Sequence, residues 1–115
     1  SYLYATNYSG YFDSPLYQVG SIKNLRKFDI LEIQFAKELA TGEGIQISYR
    51  VNLTDSFTTI KTPDGGTLTL TFATLGAVIS HDIIPGIPEC ELLQIRVALL
   101  GTGTTTPQLR AIILR

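Results

Sequence analysis

The sequence contains no tryptophan and no methionine, and it has one cysteine, Cys90, and one histidine, His81. A single cysteine excludes a disulfide within the chain, and one thiolate with one imidazole is too few ligands for a zinc site. Cys90 stands between Glu89 and Glu91, which would raise its pKa, so it is expected to be an inert, buried core residue. We predict no metal and no cofactor.

The chain also lacks an excess of charge and any long apolar run. Its 9 basic and 10 acidic residues give a formal net charge of -1, and the basic residues are scattered. This balance argues against a nucleic-acid partner. No segment approaches the roughly 20 apolar residues of a membrane-spanning helix, so no membrane insertion is predicted. Because the chain starts at Ser1 and has no methionine, it is expected to be processed or part of a longer protein.

Catalytic motifs are missing as well. Ser80, His81 and Asp82 are neighbours, but adjacent residues of a strand point to opposite faces and cannot form a nucleophile–base relay with one another. A Gly-x-Ser-x-Gly elbow is absent, and acidic pairs such as Glu89 and Glu91 are most simply solvated surface charges. We therefore predict that the chain is not an enzyme.

Along several segments of the sequence, apolar and polar residues alternate with a period of two. Residues 45–53 are the clearest case, because Ile45, Ile47 and Tyr49 point one way while Arg50 and Asn52 point the other. The same face as Ile45 is predicted to include Val51 and Leu53. Further strands are predicted at residues 28–35, 67–72, 93–99 and 109–115, with shorter ones at 15–19, 57–61 and 77–81.

These patterns predict an all-β protein, an antiparallel β-sandwich of about eight strands with a jelly-roll or galactose-binding-like arrangement and no helix. Turn chemistry separates the strands, as in the Pro-Asp-Gly sequence of residues 62–66. The length fits one domain. We place a leading strand or linker at residues 1–10 and a single sandwich domain at residues 11–115.

Five of the six tyrosines fall within the first 17 residues. They suit a sugar-stacking surface, a contact with a neighbouring domain or subunit, or the first strand of the core. Phe12, Leu16 and Tyr17 are assigned to the sandwich. Tyr2, Tyr4 and Tyr8 are expected to lie outside it, and a contact surface is favoured over a sugar platform.

The order of several segments resembles β-sandwich modules of tailed-bacteriophage virion and tail proteins, and the outline is similar to galactose-binding-like and discoidin-like sandwiches. The segments are YFDSPLYQVG at residues 11–20, GIQISYRVNLTDSFTTI at 44–60, LQIRVAL at 93–99 and TPQL at 106–109. The match covers nearly the whole chain from Tyr11 to Arg115. Phe57 stands where carbohydrate-binding relatives often carry tryptophan, which is a departure from their pattern.

The resemblance implies a structural or adhesion module of a phage tail, tail tip or fibre, located in the virion. Homo-oligomers or other virion subunits would be its partners, with host-surface contact as a further role. The alternative is a carbohydrate-binding module of a larger secreted or cell-surface protein, with a surface glycan as its ligand. The candidate ligand or interface residues are Tyr2, Tyr4, Asn7, Tyr8, Arg50, Asn52 and Asp55.

Overall fold

The structure, a computed structural model, describes residues 10–61 and 68–115. Within these ranges it contains nine strands and one short helix. In chain order they are β1 (Gly10–Asp13), β2 (Tyr17–Gln18), β3 (Leu31–Phe35), β4 (Gly44–Arg50), β5 (Thr58–Thr59), β6 (Leu70–Thr71), α1 (Phe72–Leu75), β7 (Ser80–Ile83), β8 (Leu92–Leu100) and β9 (Leu109–Leu114).

The strands form two antiparallel sheets. The larger sheet has the order β1-β8-β4-β5, with β2 also paired to β8 and β6 also paired to β4. The smaller sheet has the order β7-β3-β9. The longest ladder joins β4 to β8, from Gly44 opposite Leu100 to Arg50 opposite Gln94. The predicted antiparallel β-sandwich is thus confirmed.

The core lies between the facing sides of the two sheets. Leu31 and Ile33 of β3 and Ile45 of β4 are fully buried, as the period of two requires. The long strand β8 contributes four more buried aliphatic side chains, which are Leu93, Ile95, Val97 and Leu99. Cys90 is also buried, as predicted, and this burial raises the pKa of its thiol.

Two local predictions were wrong. We expected no helix, but Phe72–Leu75 forms one turn of helix that is capped by the Thr71 hydroxyl, which accepts from the Thr74 amide. The predicted strand at residues 67–72 is consequently reduced to Leu70–Thr71, and residue 67 lies outside the described ranges. Leu53 is 60% exposed rather than inward, because β4 ends at Arg50 and the chain turns away.

Glu43 makes a buried turn immediately before β4. Its side chain is 1% exposed, and its Oε1 accepts a hydrogen bond of 2.8 Å from the Ala40 amide. The Glu43 amide in turn donates to the Ala40 carbonyl at 3.0 Å. Oε2 has no hydrogen-bond partner in the described part of the chain. The buried carboxylate therefore stabilises the loop between β3 and β4 through its hydrogen bond to the Ala40 amide.

The sandwich is open along one side. In the described ranges, β1 and β2 pair only with β8, and β9 pairs only with β3. The β1–β2 edge of the larger sheet and the β9 edge of the smaller sheet line one common groove. This side of the molecule therefore presents two strand edges next to each other.

Candidate functional sites on the outer face and the open edge

Two arginines and two aromatic rings come together on the outer face of the larger sheet. Asp13 lies opposite Arg96, and Arg96 lies opposite Ser48, so these three side chains share one face. Tyr11 is two residues from Asp13, and Arg50 is two residues from Ser48, which puts both on that same face. Phe57 reaches the same face from the strand on the other side of β4. Thr59 of β5 lies opposite Ser48, and Phe57 is two residues before Thr59.

We call Tyr11, Arg96, Phe57 and Arg50 the arginine–aromatic stack. The Arg96 guanidinium carbon lies 4.0 Å from the ring centroid of Tyr11 and 4.0 Å from that of Phe57. The Arg50 guanidinium carbon lies 4.4 Å from the Phe57 centroid. All three distances are within the range of cation–π attraction. The stack thus ties three regions of the sequence, around residues 11, 50–57 and 96, into one surface.

Asp13 fixes the direction of the Arg96 side chain. The Asp13 carboxylate accepts from Nε of Arg96 at 2.8 Å and from its second terminal nitrogen at 3.1 Å, a bidentate pair. The hydrogen bond to Asp13 raises the pKa of Arg96. The pair is partly exposed, so its main effect is to orient the guanidinium against the two rings.

The structure brings three of the predicted site residues together, namely Arg50, Asn52 and Asp55. Asn52 Oδ1 accepts from the amides of Thr54 and Asp55 at 2.9 and 2.8 Å, and its Nδ2 donates to Asp55 at 2.9 Å. Arg50 donates to the carbonyls of Leu53 and Asp55, both at 3.3 Å. Asparagine at a turn typically bonds its own backbone in this way. These groups stabilise the loop after β4.

Arg50 also links the stack to β8 and to the residue that follows β1. Its Nε donates to Gln94 Oε1 at 2.7 Å, and Gln94 Nε2 donates to the Ser14 carbonyl at 2.8 Å. Gln94 is a buried polar residue, and this chain of bonds satisfies it. Tyr2, Tyr4, Asn7 and Tyr8, the other predicted site residues, lie outside the described ranges.

Sequence reasoning did not find Arg96, Gln94 or Tyr11 as members of a site. Alternation predicts the outward face of Arg50 and Arg96, but not which outward residues are neighbours. That depends on the register between strands more than 30 residues apart, which a single sequence does not show. The usable signal was weaker, namely that arginine and aromatic residues recur at outward positions.

Ser80, His81 and Asp82 are consecutive residues of strand β7. Ser80 and Asp82 are opposite Gln34 and Glu32, while His81 is opposite the buried Ile33. Their side chains therefore alternate between faces, as expected. In the described ranges, no group of three or more His, Cys, Asp or Glu side chains is placed to hold a metal ion.

The second site is the apolar groove along the open side. It has a volume of about 320 Å³. Its floor is the inward face of β8, with Leu93, Ile95 and Val97. One wall is formed by Phe12 and Tyr17, and the opposite wall by β9. The contributing β9 residues are Leu109, Arg110, Ala111, Ile112 and Leu114.

The aromatic wall of the groove is incompletely covered. Phe12 is 41% exposed and Tyr17 is 54% exposed, although both line the space between the sheets. Arg110 and Ser14 provide polar groups at the groove. The assignment of Phe12 and Tyr17 to the sandwich agrees with their position beside β8, but they are walls of a groove rather than closed core.

Fold and sites together describe an open-edged antiparallel β-sandwich with an arginine–aromatic stack on its outer face and an apolar groove. The chain matches no known family model, no curated protein and no solved structure. Among the described residues, no helix is long and apolar enough to cross a membrane.

Proposed function

We propose that this chain is a non-catalytic structural or adhesion module of a bacteriophage particle, in a tail, tail tip or fibre. It acts through contacts with further copies or other virion subunits, and it adds contact with the host surface. The phage setting is supported by the resemblance of residues 11–115 to tail modules. The assembly role is supported by the apolar groove, which is the observation that carries this proposal.

The groove has the properties of a contact surface. In the part of the chain that the structure describes, the outer edges of β1 and β9 have no further strand paired to them, and such edges are a template for adding another strand or packing against another subunit. Phe12 and Tyr17 leave large apolar surfaces in contact with water. Covering roughly 100 Å² of such surface contributes about 2.5 kcal/mol, so a partner in the groove is favoured.

The test is the mass of the full chain in solution. Light scattering coupled to size exclusion should give a mass above one chain, in a concentration-dependent manner. Tyr17→Ser should weaken the association at least about tenfold, which corresponds to about 1.4 kcal/mol of lost apolar contact. Tyr11→Ser is the matched control, because Tyr11 is 56% exposed on the opposite face of the same sheet.

Two results would overturn the assembly role. One is a single-chain mass at every concentration tested. The other is an equal response to Tyr17→Ser and Tyr11→Ser, because the groove would then contribute nothing specific to association.

A second function, carbohydrate binding, is favoured by one observation. The Tyr11 ring is 56% exposed beside the Asp13–Arg96 pair, and an exposed ring next to fixed polar groups suits a sugar. The polar groups of Arg50, Asn52 and Asp55 are engaged with each other, which favours the assembly role.

A glycan array probed with the full chain separates the two functions. A monomer that binds a defined sugar, and whose Tyr11→Ala variant no longer binds that sugar, would support carbohydrate binding and contradict the assembly role. An oligomer that binds no sugar would contradict the second function.

A further inference from the structure

We propose that the apolar groove binds one molecule of a free fatty acid, with the hydrocarbon chain between the groove walls and the carboxylate at Arg110. This adds a small-molecule ligand to the contact role of the groove. The proposal does not depend on the assembly role, because a chain that stays single can hold the acid equally well.

The groove has the size and the lining of a small-molecule site. Its volume of about 320 Å³ lies at the lower end of the range for ligand pockets, roughly 300–1,000 Å³. Of its twelve lining residues, ten are aliphatic or aromatic and none is acidic. The two remaining residues are Ser14 and Arg110. One apolar chain with a single polar end matches this distribution.

The shape of the groove favours a slim occupant. The lining follows β8 from Leu93 to Val97 and β9 from Leu109 to Leu114, so the groove is elongated. The floor is already covered, since Leu93 and Val97 are each 2% exposed, and the open apolar surface lies on the walls. A hydrocarbon chain can lie between the walls and has no backbone amides or carbonyls that would need partners there.

Arg110 occupies a special position in β9. Ala111 lies opposite Gln34, and the next pair along the ladder joins Leu109 to Phe35. Arg110 is therefore the extra residue of a β-bulge, a feature that redirects side chains at sheet edges and next to binding sites. The residue is exposed and borders the groove.

The charge of Arg110 is available to a ligand. Among the described residues, no carboxylate lies within ion-pair distance of Arg110, and Glu32 on the neighbouring strand β3 is paired with Arg115 instead. Because the groove lining contains no acidic residue, its charge is positive. A carboxylate is the group that a guanidinium binds through two parallel hydrogen bonds, so the polar end of the ligand is expected to be a carboxylate.

Titration calorimetry of the full chain with octanoate, decanoate and dodecanoate, each below its micelle-forming concentration, tests the hydrocarbon site. We expect one acid per chain and an affinity that rises about fourfold per methylene, which corresponds to about 0.8 kcal/mol. Tyr17→Ser removes part of a wall and should weaken dodecanoate binding about fivefold. Leu53→Ser is the matched control, because Leu53 is as exposed as Tyr17 but does not line the groove.

A comparison of dodecanoate with dodecanol tests the contact at Arg110. We expect Arg110→Gln to weaken dodecanoate binding about fivefold and to leave dodecanol binding unchanged, because the alcohol carries no charge to pair with the guanidinium. Lys23→Gln removes one positive charge from an exposed residue outside the groove lining and is the control for net charge.

Several results would overturn the proposal. They are no binding of any of the three acids, an affinity that does not rise with chain length, equal losses for Tyr17→Ser and Leu53→Ser, and equal losses for Arg110→Gln and Lys23→Gln. A single-chain mass in light scattering together with dodecanoate binding would overturn the assembly role alone. Association of chains that bind none of the acids would overturn the ligand proposal alone.

Discussion

Arg96 joins strands that are far apart in the sequence. Its guanidinium is oriented by the two hydrogen bonds that it donates to the Asp13 carboxylate, and it is in contact with the rings of Tyr11 and Phe57. Both interactions use the planarity of the group, which lysine lacks. The residue therefore acts through geometry as well as charge.

We expect Arg96→Lys to lower the melting temperature by a few degrees, because lysine keeps the charge but loses the bidentate pair and the flat contact with the rings. Arg110→Lys is the control, since Arg110 is exposed on β9 away from the stack. Thermal unfolding of the three full chains measures the effect. Equal melting temperatures for the two variants would show that the stack contributes no stability.

The Glu32 carboxylate predicts a pH dependence. Hydrogen bonds from Gln34 and then Arg115 lower its pKa below the ordinary value of 4.5. A carboxylate with a lowered folded-state pKa contributes stability that is complete above 4.5 and is lost as the pH falls through the folded-state pKa. We expect Glu32→Gln to lower the melting temperature at pH 7 and to differ less from the native chain as the pH falls below 4.

Glu38→Gln is the matched control for this pH series, because Glu38 is an exposed glutamate in the loop after β3. If both variants showed the same difference from the native chain at every pH, the Glu32 contacts would have no measurable effect on stability.

At the scale of elements, the alternation predicted the strands that line the core and was less informative elsewhere. Ile45 and Ile47 of β4 are buried as expected, because the larger sheet has one face on the core. The pattern of Leu68, Leu70 and Phe72 also alternates, yet the chain turns into α1 after Thr71. A hydroxyl cap outweighs strand periodicity there, since β6 is only a two-residue edge strand.

The arginine–aromatic stack and the groove are properties of pairing between elements. The groove arises because β1, β2 and β9 are edge strands, and their edge positions follow from sheet order rather than from local pattern. Phe12 and Leu109 were each predictable as strand residues. Their placement on opposite walls of one groove was not, because almost a hundred residues separate them.

The turn after β2 gives a prediction at this scale. A Cβ at Gly20 would lie 2.8 Å from the Asn24 carbonyl oxygen and 2.9 Å from the Arg26 amide nitrogen, both backbone atoms. The chain after this turn is joined to the segment just before β8 by the Arg26–Cys90 bridge. We expect Gly20→Ala to reduce the free energy of unfolding by about 2–3 kcal/mol, because the backbone must move to admit the methyl group.

Gly103→Ala provides the comparison in denaturant unfolding. Gly103 has open space around its Cβ position but a φ of 95°, so alanine there costs about 1 kcal/mol through backbone strain alone. A smaller loss for Gly20→Ala than for Gly103→Ala would contradict the close backbone approach at the turn.

At the scale of the whole molecule, stability and assembly are coupled if the groove is covered by a second copy. Association that occurs only in the folded state stabilises that state by mass action, by about 2.7 kcal/mol when the concentration is a hundred times the dissociation constant. The melting temperature of the full chain should therefore rise with protein concentration. The rise should disappear for Tyr17→Ser, which removes a wall of the groove, and persist for Tyr11→Ser on the outer face. Scanning calorimetry over a hundredfold concentration range makes this measurement. A melting temperature independent of concentration, together with a mass above one chain, would mean that the copies associate without stabilising one another, and the groove would then not be the surface that joins them.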